Sequence, residues 1–490
     1  MSQAAGQVAF LRGRRYRPQR GGRVSRELYE VCLMTVWRVL PLLVLAGFVA
    51  GCESTDVPRQ TRQANPAPVQ VTPAPLPAVP APALPALSRT QLIPGLDVAP
   101  EAAIPAPPRD PYGLVRVGLL LPLTGPAADV GQALLNAAQM ALFDVGDERF
   151  VLQPYDTGGT PDGAVDAAAL AVAHGAQVLL GPVFSASAKA VMPQAQAAGI
   201  NMIPFTTDPT VAAPGVFVMG FLAHEQVRRI ITFSRAQGIE RFAVLAPATP
   251  YGETVVDAMS QVVMQTGGSL TRVAYYDQSG EDLNDVVRSF ADYDRRHNAL
   301  LAQRATLESR TDTVSRVALR RLERLDTIGE VPFDALLIPA QGGRLTEVAA
   351  LLPFYDIDPG RVQLLGTMVW HGPGLGKEPA LVGGWYPAPS PDVNATFYSR
   401  YREFYGATPP AIATHGYDAV ALAAVLGRTR PERPFMSDGL ASPSGFSGVD
   451  GVFRLLPTGL SERGFAVLEI TRDGSEPIDP APTTFEANQF

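Results

Sequence analysis

The residues whose types and spacing best suit chemistry are one cysteine and a set of hydroxyls. Cys52 follows Val49-Ala50-Gly51, the end of an apolar stretch from Val39 to Ala50 that lies behind basic residues including Arg38. A basic start, an apolar middle too short for an ordinary bilayer-crossing helix and small residues before a break form a secretory signal. Ser185 and Ser187 follow Gly181-Pro182-Val183-Phe184, between a strand-like run and a helix-like one. Backbone N–H groups at a helix start, with hydroxyls beside them, make an anion site suited to a carboxylate. Thr206 and Thr207 follow another strand end and add donors, with Phe184 and Tyr251 as walls. Against this reading, Ser185 or Ser187 serves equally well as a helix cap, and Thr206-Thr207 as a turn.

Other chemistry is poorly represented. Gly445-Phe446-Ser447-Gly448 is followed by Val449 where a nucleophile elbow needs Gly, and Gly372 to Lys377 departs from a phosphate loop. His174, His224, His297, His371 and His415 are scattered without metal-ligand spacing, and His224-Glu225 lacks the second His of a zinc-protease helix. We therefore expect no enzyme, no metal and no cofactor. Basic residues form no patch with interleaved aromatics, and the net charge of -7 is dispersed, so nucleic acid is not an expected partner. Of the 2 cysteines, Cys32 lies ahead of the break, so the mature chain has no disulfide and depends on burial for stability.

The elements that position these residues follow one pattern. The 490 residues are 46% hydrophobic and 18% charged, enough for a large core. Residues 52–112 form a Pro/Ala-rich linker, too poor in apolar bulk to offset the entropy of ordering. Ahead of it, residues 1–51 are an N-terminal extension and signal, with Met34 as the expected true start. From residue 113 to 472, strand and helix alternate: strands at Val115 to Leu121, Phe150 to Tyr155, Gln177 to Leu180 and Asn201 to Pro204 are separated by helical runs. The alternation recurs from Gln226 to Gly366, which predicts two similar α/β lobes of parallel strands flanked by helices, with ligands at the strand ends between them. Residues 473–490 read as a tail.

Several runs resemble known families. Val49-Ala50-Gly51-Cys52 resembles the lipobox of bacterial lipoproteins, which implies cleavage before Cys52, lipidation there and a membrane anchor that does not span. Gly118 with Pro122-Leu123-Thr124-Gly125, Gly181-Pro182 with Ser185 and Ser187, Ile203-Pro204 and Tyr251-Gly252 resemble the type I periplasmic binding proteins of the leucine/isoleucine/valine-binding class. Phe217 to Phe221, Phe242 to Pro247, Gly383 to Tyr386, Gly416 to Val420 and Gly445 to Arg454 are similar to the penicillin-binding protein activator lipoproteins. The resemblance implies a two-lobed fold with three hinge crossings: lobe one at about 114–234 and 385–448, lobe two at about 235–384 and 449–472. It also implies an amino-acid-like ligand whose carboxylate and amino group lie near Ser185, Ser187, Thr206 and Thr207. The acidic partner from lobe two is not placed; Glu253 and Asp277 are weighed against solvated surface. The activators' helical-repeat domain has no counterpart here, where only the linker occupies that place.

Residues 285–327 exceed the single helix that the pattern requires. Val286, Phe290, Tyr293, Leu300, Leu307, Val314, Val317, Leu322 and Leu325 recur near helical spacing among many Arg and Asp residues. We expect a helical hairpin broken near Thr311 that either packs on lobe two or docks a partner. Two functions follow from the resemblance. One is a lipid-anchored regulator of peptidoglycan synthesis that contacts a penicillin-binding protein. The other is a substrate-binding lipoprotein of an ABC transporter for branched-chain or related amino acids. Glu53 after Cys52, where enteric inner-membrane retention uses Asp, points to the outer membrane with the domain facing the periplasm.

Overall fold

The computed structural model describes residues 113–485. The signal, Met34, Cys52 and the linker lie outside the described residues. The first lobe opens with β1 (Val115–Leu121), α1 (Ala128–Val145), β2 (Phe150–Asp156), α2 (Pro161–Ala173), β3 (Val178–Leu180), α3 (Ser185–Ala197) and β4 (Asn201–Ile203). Its four strands are parallel, in the order β2-β1-β3-β4. Apart from Arg116, β1 is apolar, because both faces of the sheet are covered. Small alanines of α2, including Ala164, Ala167, Ala168 and Ala171, let that helix approach one face closely.

The second lobe begins with α4 (Ala223–Ala236), β5 (Arg241–Pro247), α5 (Pro250–Gln265) and β6 (Ser269–Tyr276). There follow α6 (Leu283–Phe290), α7 (Tyr293–Glu308), α8 (Thr313–Leu322), β7 (Ala335–Leu337), α9 (Gly342–Phe354), β8 (Gln363–Leu365) and β9 (Trp385–Ala388). The chain then returns to lobe one as α10 (Pro391–Tyr405), α11 (Ala413–Thr429), β10 (Phe446–Gly448), β11 (Gly451–Leu455) and β12 (Ser461–Arg463). It ends in lobe two with β13 (Ala466–Thr471) and β14 (Gly474–Asp479). The lobe-two sheet runs β14-β13-β9-β8-β7-β5-β6, with β13 and β14 antiparallel to their neighbours.

Four boundaries differ from those expected. The helix α4 belongs to lobe two, because Val227, Ile230 and Ile231 pack against Val244, Leu337 and Val467. Strand β9 also belongs there, paired to both β8 and β13. Residues 451–463 belong to lobe one, since Phe453 and Leu455 share a core with Val117, Leu134 and Ala423. The expected tail is partly a strand, β14, hydrogen-bonded to β13 through a tight turn. The chain therefore crosses between lobes near Phe221, near Ser390 and near Gly464.

The inserted stretch forms the hairpin of α7 and α8, broken across residues 309–312. A second break precedes it: Asp292 adopts a left-handed φ of 52, and α6 ends there. α6 buries Leu283, Val287 and Phe290 in the lobe-two core, whereas α8 buries only Ser315. Trp370 is a core residue of this lobe, 1% exposed, with Nε1 donating to the Ile338 carbonyl at 3.0 Å. It does not line the cleft mouth.

Candidate functional site

Between the lobes lies a cavity of about 730 Å³. Lobe one contributes Thr207, Asp208 and Thr210; lobe two contributes Tyr251, Glu253, Asp257, Met368 and Val369; and Phe221 enters from the first crossing. Two glycines set this geometry. A Cβ on Gly220 would lie 2.1 Å from the Thr206 carbonyl, and one on Gly252 would lie 2.0 Å from the Pro247 carbonyl. Only glycine permits the crossing strand, and the start of α5, to approach so closely. Thr249 caps α5 by accepting from the Gly252 N–H at 3.0 Å, and Pro250 occupies its first turn. That start aims Tyr251 and Glu253 at the cleft. The Tyr251 hydroxyl bonds to Thr367 Oγ1 at 2.8 Å, and burial pushes its phenol up. Gln226 spans the base, donating to the Phe221 carbonyl at 3.0 Å and accepting from the Met368 N–H at 2.8 Å.

Of the six residues nominated from sequence, Thr207 and Tyr251 form part of this wall. Ser185 opens α3 but neither caps it nor points a free donor at the cavity, since its hydroxyl donates to Asp208 Oδ2 at 2.5 Å. Ser187 is 1% exposed, on the core side of α3. Thr206 is buried and its Oγ1 accepts from the Asp208 N–H at 3.1 Å, the turn role weighed against ligand binding. Phe184 is exposed beside the turn at Gly159.

The residue that reorganises this corner is Asp208. Its carboxylate accepts from Ser185, from Thr210 N–H at 2.9 Å and Oγ1 at 2.6 Å, and pairs with Lys189 at 3.0 Å. Partial burial opposes the charge, but the hydrogen bonds from Ser185, Thr210 and Lys189 outweigh it and hold the carboxyl well below the usual carboxylate range. Ser185, one of the donors expected to receive a ligand carboxylate, thus already holds one from the chain. Asp208 also caps the short turn Pro209–Val211, and the sequence analysis did not single it out.

The hinge is held by a buried charged cluster. Arg463 donates from Nη2 to the Met219 carbonyl at 3.1 Å, and its guanidinium lies 4.9 Å from the Phe221 ring centre and 5.1 Å from that of Phe453. Its Nη1 is 3.8 Å from Asp418 Oδ2, and Asp418 accepts from the Val449 N–H at 2.7 Å. Asp450 accepts from Asn394 at 3.2 Å. Burial pushes the Asp418 carboxyl up to about 7 despite the attraction of Arg463, and it raises Asp450 as well. Among the described residues no group of three or more potential metal ligands occurs, and no helix is long and apolar enough to cross a membrane.

A family model described as periplasmic binding protein matches residues 114–297. With the two largely parallel sheets, their flanking helices and the three crossings, the fold is that of type I periplasmic binding proteins. The solved structures it resembles include a putative branched-chain amino acid ABC transporter protein from Rhodospirillum rubrum. That match has TM-score 0.60 and 19% identity, covering 74% of this chain and 100% of that one. Another is the C-domain of LpoA from Haemophilus influenzae, a regulator of PBP1A, with TM-score 0.54 and 16% identity over 74% of this chain and 99% of that one.

The chain spans half or less of the length of the curated relatives it matches. An uncharacterized protein of Rickettsia prowazekii is 26% identical over 36% of this chain and 47% of its own length. The Leu/Ile/Val-binding protein BraC3 of Rhizobium johnstonii is 33% identical over 22% and 29%. The penicillin-binding protein activator LpoA of Glaesserella parasuis is 26% identical over 34% and 28%. The functions named among these proteins are binding and regulation.

Proposed function

We propose that this chain is a periplasmic lipoprotein, anchored through Cys52 to the outer membrane, that regulates peptidoglycan synthesis by contacting a penicillin-binding protein. The observation that supports the reading is the internal Asp208 carboxylate, which takes the Ser185 hydroxyl, one of the donors expected for a ligand carboxylate, and pairs with Lys189. A protein whose work is capture of amino acids needs those donors free. The local likeness to a penicillin-binding protein activator supports this class of partner. The α7–α8 hairpin gives a contact surface: Val314 and Val317 are exposed, and Arg310, Arg316, Arg320, Arg321 and Arg324 are exposed with no carboxylate at ion-pair distance among the described residues. Arginine is over-represented at interface hot spots.

The test is binding of the processed full chain to a purified bifunctional penicillin-binding protein of the same organism, with transpeptidation rates measured alongside. Saturable binding that is lost on deletion of Asn298–Leu325, in a variant that still unfolds cooperatively, supports the reading. Absence of binding with the intact chain overturns it.

A second reading, the substrate-binding lipoprotein of an amino-acid ABC transporter, is favoured by the open cavity with Thr207 and Tyr251 in its wall and by the local likeness to a Leu/Ile/Val-binding protein. Calorimetry with a panel of amino acids separates the two, because tight binding of one amino acid would favour transport.

A further inference from the structure

Three covalent crossings join the lobes, and the chain beyond β14 lies across the same boundary. We propose that residues 480–485 form a fourth, releasable strap that holds the two lobes in their observed arrangement, with the Phe485 ring as its catch on lobe one. The inference goes beyond the contact reading and stands whether or not that reading holds.

The strap starts in lobe two. Strand β14 pairs antiparallel with β13, so the chain leaving β14 at Asp479 heads back along the third crossing. Arg229, on α4, grips both strands there. Its Nε donates to the Phe465 carbonyl at 2.7 Å, and its Nη2 donates to Asp479 Oδ2 at 2.5 Å and to the Pro480 carbonyl at 3.3 Å. Ala481 packs on the lobe-two core. Pro482 then passes over Gly464, where a Cβ would lie 2.9 Å from the proline ring and 2.9 Å from a methyl of Val452 on β11. Phe485 completes the passage. Its ring centre stands 4.8 Å from the Arg454 guanidinium, and a Cβ on Gly445 would lie 2.8 Å from the ring. Gly445 precedes β10 and Arg454 lies on β11, between Phe453 and Leu455 of the lobe-one core.

Lobe one is shaped to receive this segment. Both points of closest approach are glycines, so the segment meets backbone with no side chain between. Arg454 is fixed in advance: Nε donates to Glu462 Oε2 at 2.5 Å, and Nη1 donates to the Pro443 carbonyl at 3.2 Å. A guanidinium held in this way stacks on an aromatic face without ordering itself anew. The three crossings are covalent, and their backbone torsions absorb a rotation of the lobes. The strap differs in kind. Among the described residues it makes no backbone–backbone hydrogen bond to lobe one, so it restrains rotation only while Phe485 is seated. The seated state gains these contacts and a rotated state loses them, which shifts the population toward the observed arrangement.

Distance measurement between the lobes of the full chain tests this. Spin labels on unnatural residues replace the exposed Asp162, in the first turn of α2, and the exposed Glu281, after β6, and leave Cys52 untouched. With the tail intact, electron–electron resonance should give one narrow distance distribution. Phe485→Ala, and truncation after Pro480, should each broaden it and add a second maximum. Phe485→Tyr, which keeps the ring face, should preserve the narrow form, and Glu476→Gln, on the exposed part of β14, should leave it unchanged. Strand β14 and the Arg229 contacts survive in all of these variants, and a melting curve verifies that each still unfolds cooperatively. A distribution in the truncated chain as narrow as in the intact one would overturn the proposal, as would a broad distribution in the intact chain that truncation leaves unaltered. Broadening on truncation but not with Phe485→Ala, or equal broadening with Phe485→Tyr and Phe485→Ala, would overturn the ring as the catch. Binding of the penicillin-binding protein is read separately, so loss of one leaves the other standing.

Discussion

The hinge and the α7–α8 hairpin both depend on arginine, in opposite ways. At the hinge, Arg463 is 6% exposed and enclosed by Asp418, two aromatic rings and the Met219 carbonyl. On the hairpin, Arg316, Arg320, Arg321 and Arg324 are exposed and have no carboxylate at ion-pair distance among the described residues. The first arrangement joins the crossing near Phe221 to the one near Gly464, and without Arg463 the buried Asp418 and Asp450 would lose their neighbouring cation. The second forms no ion pair with the rest of the fold among the described residues. Charge enclosed by the fold is architectural, and charge that the fold leaves unmatched is available to a partner.

The largest effect should come from breaking the enclosed side of that contrast. Arg463→Ala should cost about 3–5 kcal/mol of stability by leaving buried carboxylates unpaired, measured by urea unfolding. A loss under about 1 kcal/mol would mean that the hinge tolerates the gap by admitting water. Next comes acid–base behaviour. The Asp418 carboxyl is raised in the fold to about 7, above its unfolded value, so its contribution to stability is complete at low pH and is lost as pH rises through about 7. Arg463 remains charged across this range. Unfolding free energy should therefore fall between pH 5 and pH 8 by about 2 kcal/mol, and Asp418→Asn should flatten that slope.

The hairpin should behave in the reverse manner. Reversing Arg316, Arg320, Arg321 and Arg324 to Glu should change stability by less than about 0.5 kcal/mol while abolishing contact with the penicillin-binding protein. A large stability loss would show that these arginines are structural after all. The smallest effect is expected on α5, where Glu253→Gln/Asp257→Asn should stabilise the chain by about 0.2–0.5 kcal/mol as the like-charge pair is removed, visible as a slightly higher melting temperature.

Much of the fold was legible because its signals are local. β1, with mostly apolar side chains on both faces, reads as a buried strand, and the helical character of the inserted stretch follows from the spacing of Leu300, Leu307, Val314 and Val317. The lobe boundaries were less legible. α4 looks the same whether its apolar face meets one sheet or the other, and β9 is an ordinary short strand until β13 pairs with it from across the chain. The site was legible only in part. Thr207 and Tyr251 line the cavity, while Ser185 and Thr206 proved to serve Asp208, 23 and 2 residues away in sequence.

The amino-acid order by itself determined the alternation of strand and helix, the inserted helical stretch and the hydroxyl-rich turns, since periodicity, caps and glycines act over a few residues. Only the tertiary structure decided which charges are matched. Lys189 reaches Asp208 and Arg463 reaches Asp418 through space, and Glu253 and Asp257 remain unmatched because no other element of the fold brings a cation to their side of the cleft. Coulomb energy depends on distance and burial rather than on sequence separation.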